Sequence, residues 1–246
     1  MNILVCISKA PDTTSKISFN EGNTAFNEEG VQFIINPYDE WYALVRAIEL
    51  KESKGGKVSI ISVGGADYDP IMRKALAIGA DEAIRVDAAA TDAYQVAAEI
   101  ADHISKSSYD LVLTGKETID FNGSQVGGMI AAIIDAPYVS NITQLDADGN
   151  AAKVERDKQG GTEVLNVTLP AVMSAAKGLA EQRIPNMRGI MAARTKPLNV
   201  VPSVGGEALT ETVQFSLPAE KGSVKLIDPE NMEELVNLLH TEAKVI

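Results

Sequence analysis

DLVLTGKETIDFNGSQVGGMIAAII, residues 110–134, holds the pattern from which the rest of the chain can be read. DLVLTG (110–115) is a short apolar run that ends on a glycine. A polar loop with Gly123, Gly127 and Gly128 follows, then the apolar stretch Met129-Ile130-Ala131-Ala132-Ile133-Ile134. The pattern is strand, loop, helix, and it recurs upstream. NILVCIS (2–8), KVSIISVGG (57–65) and EAIRVDA (82–88) read as buried strands. Between them lie helical patterns. One starts at Asn36-Pro37, with asparagine suited to the cap and proline to the first turn, and carries Trp41, Leu44, Val45, Ala47, Ile48 and Leu50 on one face. PIMRKALAIGA (70–80) is a short helix stopped near Gly79, and DAYQVAAEIADHISKSS (92–108) is a third. Strands alternating with helices of this length predict an α/β protein with an open, mostly parallel sheet and helices on both faces. With the first strand central, the strand order is 3-2-1-4-5.

Elsewhere the pattern departs from this alternation. KISFNEGNTAF (16–26) alternates around Asn20-Glu21-Gly22-Asn23 and predicts a hairpin. After Pro137, alternating runs broken at Asp148-Gly149-Asn150 and Gly160-Gly161 predict a small antiparallel excursion. The chain returns to the sheet through LPAVMSA (169–175). From about Val201 periodic signals fade until ENMEELVNLLHTEA (230–243), an amphipathic helix with Met232, Leu235, Leu238 and Leu239 on one side. Residues 201–246 hold eight acids and three lysines. The division expected is an α/β domain over 1–200 and a C-terminal arm over 201–246. Two readings of the arm stand: it folds on a partner, or its helix docks on its own domain.

The totals narrow the function. A chain of 246 residues buries a core without metal or disulfide support. A net charge of −12 disfavours nucleic acid and anionic membranes as partners. A phosphate ligand remains compatible, because backbone N–H groups act locally while distant surface charge is screened within about 8–10 Å. The single cysteine, Cys6, permits no internal disulfide and fits a reducing compartment. No signal-peptide pattern and no apolar run of about 18–20 residues occurs, so neither secretion nor direct membrane insertion is expected.

Ligands of open α/β sheets bind beyond the carboxyl ends of strands, where the strand order reverses. That crevice falls between strand 1, ending near Cys6-Ile7-Ser8, and strand 4, ending at Gly115. The loop 116–127 lies there. Its glycines admit close approach of a ligand, and Ser124 is placed to cap the helix. The free N–H groups of the first turn suit an anion. Asp120, Asn122 and Gln125 are placed to read hydroxyls or a base. The loop matches neither G-x-x-x-x-G-K-[ST] nor G-x-G-x-x-G. A nucleotide or another phosphate ligand is one reading, and a glycine-tolerant turn is the other. Catalytic sets are lacking. His103 and His240 belong to no metal spacing, Cys6 has no histidine partner in the pattern, and no catalytic or metal-ligating residue is expected.

LVCISKAPD, INPYDEWYALVRAIELKE, ALAIGADEAIRVD, DLVLTGKETIDFNGSQVGGMIAA and LPAVMSAAKGLAEQRIPNMRGIMAARTKPL together resemble the β subunit of electron transfer flavoprotein. The likeness runs in order from residue 2 to about 200, and GSVKLIDPENMEELVNLL resembles that family's end. The resemblance implies an adenine-nucleotide-binding α/β domain of the nucleotide α-hydrolase type that binds AMP as a structural ligand. It implies a heterodimer whose α subunit holds most of one FAD, with the C-terminal arm reaching around that subunit. It implies an electron carrier without catalysis of its own, taking electrons from acyl-CoA and related dehydrogenases and passing them to a quinone oxidoreductase. The compartment implied is the bacterial cytoplasm or the mitochondrial matrix.

Residue by residue, the resemblance places Cys6, Asn36, Pro37, Tyr38, Asp39 and Val63 at the AMP site. It also places Gly115 there, with Asp120, Phe121, Asn122, Gly123, Ser124, Gln125, Val126 and Gly127. Tyr38 would also approach the flavin. Ile184, Pro185, Met187, Ile190 and Met191 fall on the family's partner-recognition loop, with Met187 where an apolar plug enters the dehydrogenase; internal packing of Met187 is the other reading. Phe121-Asn122-Gly123-Ser124 departs from the acidic or Thr-Ala residues of many members. It also lacks the Asp-Gly-Asp-Thr type of loop of relatives that hold a second FAD and bifurcate electrons, so AMP and a plain carrier are favoured. The alternatives are such a bifurcating subunit, or a lone nucleotide-binding stress-type domain or hydrolase.

Overall fold

The computed structural model describes residues 1–246, the side chain of Glu21 excepted. Seven parallel strands form its centre: β1 (Asn2–Cys6), β4 (Lys57–Val63), β5 (Glu82–Asp87), β6 (Leu111–Gly115), β7 (Tyr138–Asp148), β10 (Ala171–Ala175) and β11 (Leu198–Pro202). With β8 (Ala151–Lys158) and β9 (Gly161–Thr168) added antiparallel, the sheet runs β11-β5-β4-β1-β6-β10-β7-β8-β9. Its core β5-β4-β1-β6-β10 is the order 3-2-1-4-5 expected from the sequence. The excursion after Pro137 is the β7–β8–β9 meander. Strand β11 extends the sheet at the far edge, in a stretch without a strong periodic signal.

Alternate residues of each central strand serve two cores, as a strand buried on both faces requires. Ile3, Val5, Val58, Ile60, Leu111 and Leu113 pack with α1 (Asp39–Lys54) and α2 (Asp69–Ile78). Leu4, Cys6, Ile61, Val63 and Val112 face the other way, in one core with Ala97 and Ile100 of α3 (Ala93–Ser105) and Ile130 and Ala131 of α4 (Val126–Ile133). The helix after β1 therefore lies on one face and the helix after β6 on the other. The chain order reverses between these two neighbouring strands, so their carboxyl ends diverge and leave a crevice.

Local details correct several expectations. The 16–26 stretch turns back but forms a single bridge, Phe19 with Phe26. The pairing in this region is instead β2 (Lys9–Pro11) with β3 (Phe33–Ile35), antiparallel. Helix α1 begins at Asp39 with Tyr38 in the cap position, so Asn36 does not cap it and Pro37 precedes its first turn. The Asn36 carboxamide is engaged elsewhere. Ser124 does not cap α4 either; Gln125 occupies that position without a side-chain bond, because Ser124 is left-handed (φ 52) and its hydroxyl turns to Glu117.

Chain contacts define two compact units: Met1–Ile17 with Asn27–Val213, and Ser18–Phe26 with Gln214–Ile246. In the first, two acids hold the stretch after β11. Glu99 accepts from the Ser203 hydroxyl and from the N–H groups of Val204 and Gly206. Asp92 caps α3 through Gln95 and also accepts from Leu209 and Thr210. In the second, Phe19 stacks on Phe215 at 5.1 Å, and Phe215 N–H donates to Asn23 O at 2.7 Å. Helix α6 (Met232–Leu238) lies in this unit, capped by Asn231, and continues as a wider turn over Leu239–Ala243. None of its residues is buried.

Candidate functional site

The crevice is floored by the ends of β1 and β6 and by the start of α1. Gly115 ends β6 where nothing larger fits: a β-carbon there would lie 2.7 Å from Glu40 Cγ and 3.2 Å from Asp39 Cβ. Asn36 is 1% exposed, and its Nδ2 donates to Glu117 O at 2.9 Å while its Oδ1 accepts from Ile119 N–H at 3.0 Å. One carboxamide thus fixes both ends of a three-residue step in the loop. Asp39 accepts from Glu117 N–H at 3.3 Å, and burial raises its carboxyl above the ordinary range. Glu40 takes the N–H and hydroxyl of Ser8 at 2.7 and 2.8 Å. Burial pushes its carboxyl up to about 8, against the pull of those two bonds.

The loop rises from this floor. Asn122 (φ 48) and Ser124 (φ 52) are both left-handed, a conformation asparagine tolerates better than serine. The Ser124 hydroxyl donates to Glu117 at 3.2 Å, and Glu117 pairs with Lys116 at 2.7 Å. A β-carbon on Gly123 would meet nothing within 4 Å, so that face of the loop is open. Gly127 is the reverse. A β-carbon there would come within 2.6 Å of Thr114 Oγ1 and 3.2 Å of the Tyr138 ring. Glycine therefore lets α4 start directly on the end of β6. Among the described residues, no backbone carbonyl accepts from the N–H groups of Val126, Gly127 and Gly128. Thr114 Oγ1, buried beside them, has no hydrogen-bond partner.

Val63 ends β4 on the α3/α4 side and is buried, as is Cys6, whose thiol burial raises far above its usual range. Beyond Val63, Gly64 makes room for Tyr68, whose ring would be 2.4 Å from a β-carbon. Burial and neighbouring carboxylates raise the Tyr68 hydroxyl to about 12. Tyr38 and Phe121 are exposed, Phe121 at 73%. The structure thus gathers Cys6, Asn36, Asp39, Gly115 and the 116–127 loop at one crevice. Sequence reading missed Glu40, Thr114 and Tyr68. A buried acid inside DEWYALV carries no hydropathy signal, and Thr114 is hidden within an apolar strand.

The 184–191 segment forms a separate surface. Asn186 caps α5 (Met187–Ala193) by accepting from Gly189 N–H at 2.8 Å. Gly189 lies against Ala77 O, where a β-carbon would be 2.3 Å away, so α5 sits tightly on α2. Ala193 is buried, and its carbonyl accepts from Arg73 at 2.8 Å. The opposite face carries Met187 at 74% and the exposed Ile190 and Met191, and Ile184, just before the helix, is 81% exposed. A cavity of about 870 Å³ opens at the other, amino-terminal edge of the sheet, between Ile104, Tyr109, Ile133 and Leu169. Its lining includes the start of β6 and the end of α4, the opposite ends from those that meet at the crevice.

Fold and site together define a doubly wound α/β protein with a crevice at its topological switch point. The family of the electron transfer flavoprotein domain matches residues 23–204. The β subunit of electron transfer flavoprotein from Bacillus subtilis (strain 168) is 36% identical, with the whole of each chain covered. That of Sus scrofa is 33% identical over 100% of this chain and 99% of its own. Protein FixA of Azotobacter vinelandii is 34% identical over 81% of this chain and 74% of its own. The chain belongs to the electron transfer flavoprotein family, as a member of the β-subunit type. No helix in the described residues is long and apolar enough to cross a membrane.

Proposed function

We propose that this chain is the β subunit of a heterodimeric electron transfer flavoprotein that binds AMP in the β1/β6 crevice and helps an α subunit hold FAD. The observation that carries the reading is the start of α4. Three N–H groups without a backbone acceptor, a buried hydroxyl without a partner and a glycine pressed on β6 fit a phosphate. Asp120, Asn122 and Gln125 face the ribose and base, and the Asn36 bonds hold the loop that carries them. Val63 and Cys6 supply an apolar wall. The exposed Tyr38 lies at the subunit seam, against the flavin. FAD, when bound, supplies the electron-carrying chemistry; the chain's own residues position and enclose.

Electrons enter from acyl-CoA and related dehydrogenases and leave to a quinone oxidoreductase, in the cytoplasm or the mitochondrial matrix. The apolar face of α5 docks the dehydrogenase, with Met187 as its plug, since a flexible thioether adapts to several pockets. The arm expected from 201 starts later than that: 198–202 belong to β11, 203–210 are held by Glu99 and Asp92, and it is the stretch from Gln214 that wraps the α subunit. In support, α6 carries an apolar side yet buries no residue, as a helix completed by a partner would. Co-expression with an α subunit should yield a one-to-one complex that an acyl-CoA dehydrogenase reduces. Met187→Ala should slow that reduction about 30-fold or more, the effect of losing an anchor of about 2 kcal/mol, with flavin content unaltered. Failure to pair with any α subunit would refute the reading, and unaltered transfer by the variant would remove Met187 from it.

A further inference from the structure

We propose that Glu40 couples nucleotide binding in this crevice to the uptake of one proton, its neutral acid being the form that admits an anion. The inference rests on the crevice being the nucleotide site.

Glu40 is 6% exposed and lies under the end of β6, against Gly115. Among the described residues, the hydrogen-bond partners of its carboxylate are the N–H and hydroxyl of Ser8 alone. Among the described residues, no lysine, arginine or histidine pairs with it. The charged and titratable groups around it come from four places. Cys6 lies on β1, Asp39 precedes Glu40 on α1, and Asp120 belongs to the loop after β6. Tyr68 stands before α2 and feels both Glu40 and Asp120. The nearby cations are committed elsewhere: Lys116 to Glu117 at 2.7 Å, and Lys9 to Asp67 and Glu28. A buried carboxyl without a counter-ion, beside two other acids, holds its proton more firmly than a free one.

A phosphate seated at α4 adds negative charge to this group. The neutral Glu40 tolerates that anion, and the ionised form repels it through a poorly hydrated floor. Linkage then requires the converse: the bound anion raises the proton affinity of Glu40 further. With the free carboxyl near 8, ionisation falls where nucleotide affinity is measurable. Cys6 and Tyr68 are both pushed upward by burial, so neither gains charge in that window. Above about pH 7 the phosphate is already a dianion, since its second ionisation lies near 6.

The test is calorimetric titration of AMP into the nucleotide-stripped complex with its α subunit, from about pH 7 to about pH 9.5, in buffers of different ionisation heat. Expected is uptake approaching one proton per AMP, with affinity falling toward tenfold per pH unit above about pH 8. Glu40→Gln should flatten the pH dependence and abolish the uptake. Ser8→Ala, which removes a donor to the ionised form, should move the midpoint to higher pH. AMP binding without proton uptake across the window overturns the inference and leaves the nucleotide reading intact. So does uptake that persists in Glu40→Gln. If that variant does not fold, the wild-type proton count and the Ser8→Ala shift decide by themselves. Absence of AMP binding at every pH overturns the nucleotide reading and this inference with it.

Discussion

Asn36→Ala is the perturbation with the most to teach, because one side chain positions a loop more than eighty residues away. Its amide donates to Glu117 O at 2.9 Å and its carbonyl oxygen accepts from Ile119 N–H at 3.0 Å. Alanine leaves both backbone groups without a partner. A buried group so abandoned costs about 1–3 kcal/mol. Both lie in a partly buried setting where water can follow some of the movement, so the expected loss is about 2–4 kcal/mol rather than the full sum. For a chain of this size, that corresponds to a fall in melting temperature of roughly 5–15 °C. The same loop leads into the start of α4, so bound nucleotide should fall in parallel. Asn36→Asp keeps the acceptor for Ile119 but presents an oxygen to Glu117 O, and should be intermediate in stability. Urea unfolding of the complex followed by circular dichroism, with released nucleotide quantified on the same sample, measures both effects. A loss below about 0.5 kcal/mol with full nucleotide content would show that other contacts, not Asn36, hold the loop.

Gly127→Ala should destabilise by about 1–3 kcal/mol and empty the crevice, because its β-carbon would fall 2.6 Å from Thr114 Oγ1. Gly123→Ala, whose β-carbon meets open space, should stay within about 0.5 kcal/mol; equal effects from the two would show that the clash is not what matters. At Glu99, burial pushes the carboxyl up, but the bonds from Ser203, Val204, Gly206 and Gly205 outweigh it and hold the value below the ordinary range. Its contribution is therefore full above the unfolded carboxylate range and lost as pH falls through the lowered folded value. Hydrogen exchange corrected for intrinsic rates should show residues 203–206 protected at neutral pH, released in acid, and released at neutral pH in Glu99→Gln. Protection unaltered in that variant would contradict the assignment.

The fold was legible wherever strand and helix periods were strong. NILVCIS, KVSIISVGG, EAIRVDA and DLVLTG each became a parallel strand in the expected order, because strands buried on both faces read as continuous apolar runs. Strand β11 was not legible, since an edge strand with exposed Asn199 and Val200 carries neither an apolar run nor clean alternation. The caps failed for a related reason. Asn36 and Ser124 have the right chemistry for helix caps, but Asn36 spends its bonds on Glu117 and Ile119, and Ser124 on Glu117. Local propensity cannot reveal a competing partner that is distant in sequence. The crevice loop was visible through its glycines at the end of a strand. Glu40 was not, because its burial is a property of how α1 meets β6.

What the β1/β6 crevice holds decides between a plain carrier and a bifurcating subunit. The direct measurement is mass spectrometry and absorbance of the small molecules released from the co-expressed α/β complex. One FAD and one AMP per heterodimer is the result predicted here. Two FAD and no AMP would contradict it and make the chain a bifurcating-type subunit with flavin in the crevice.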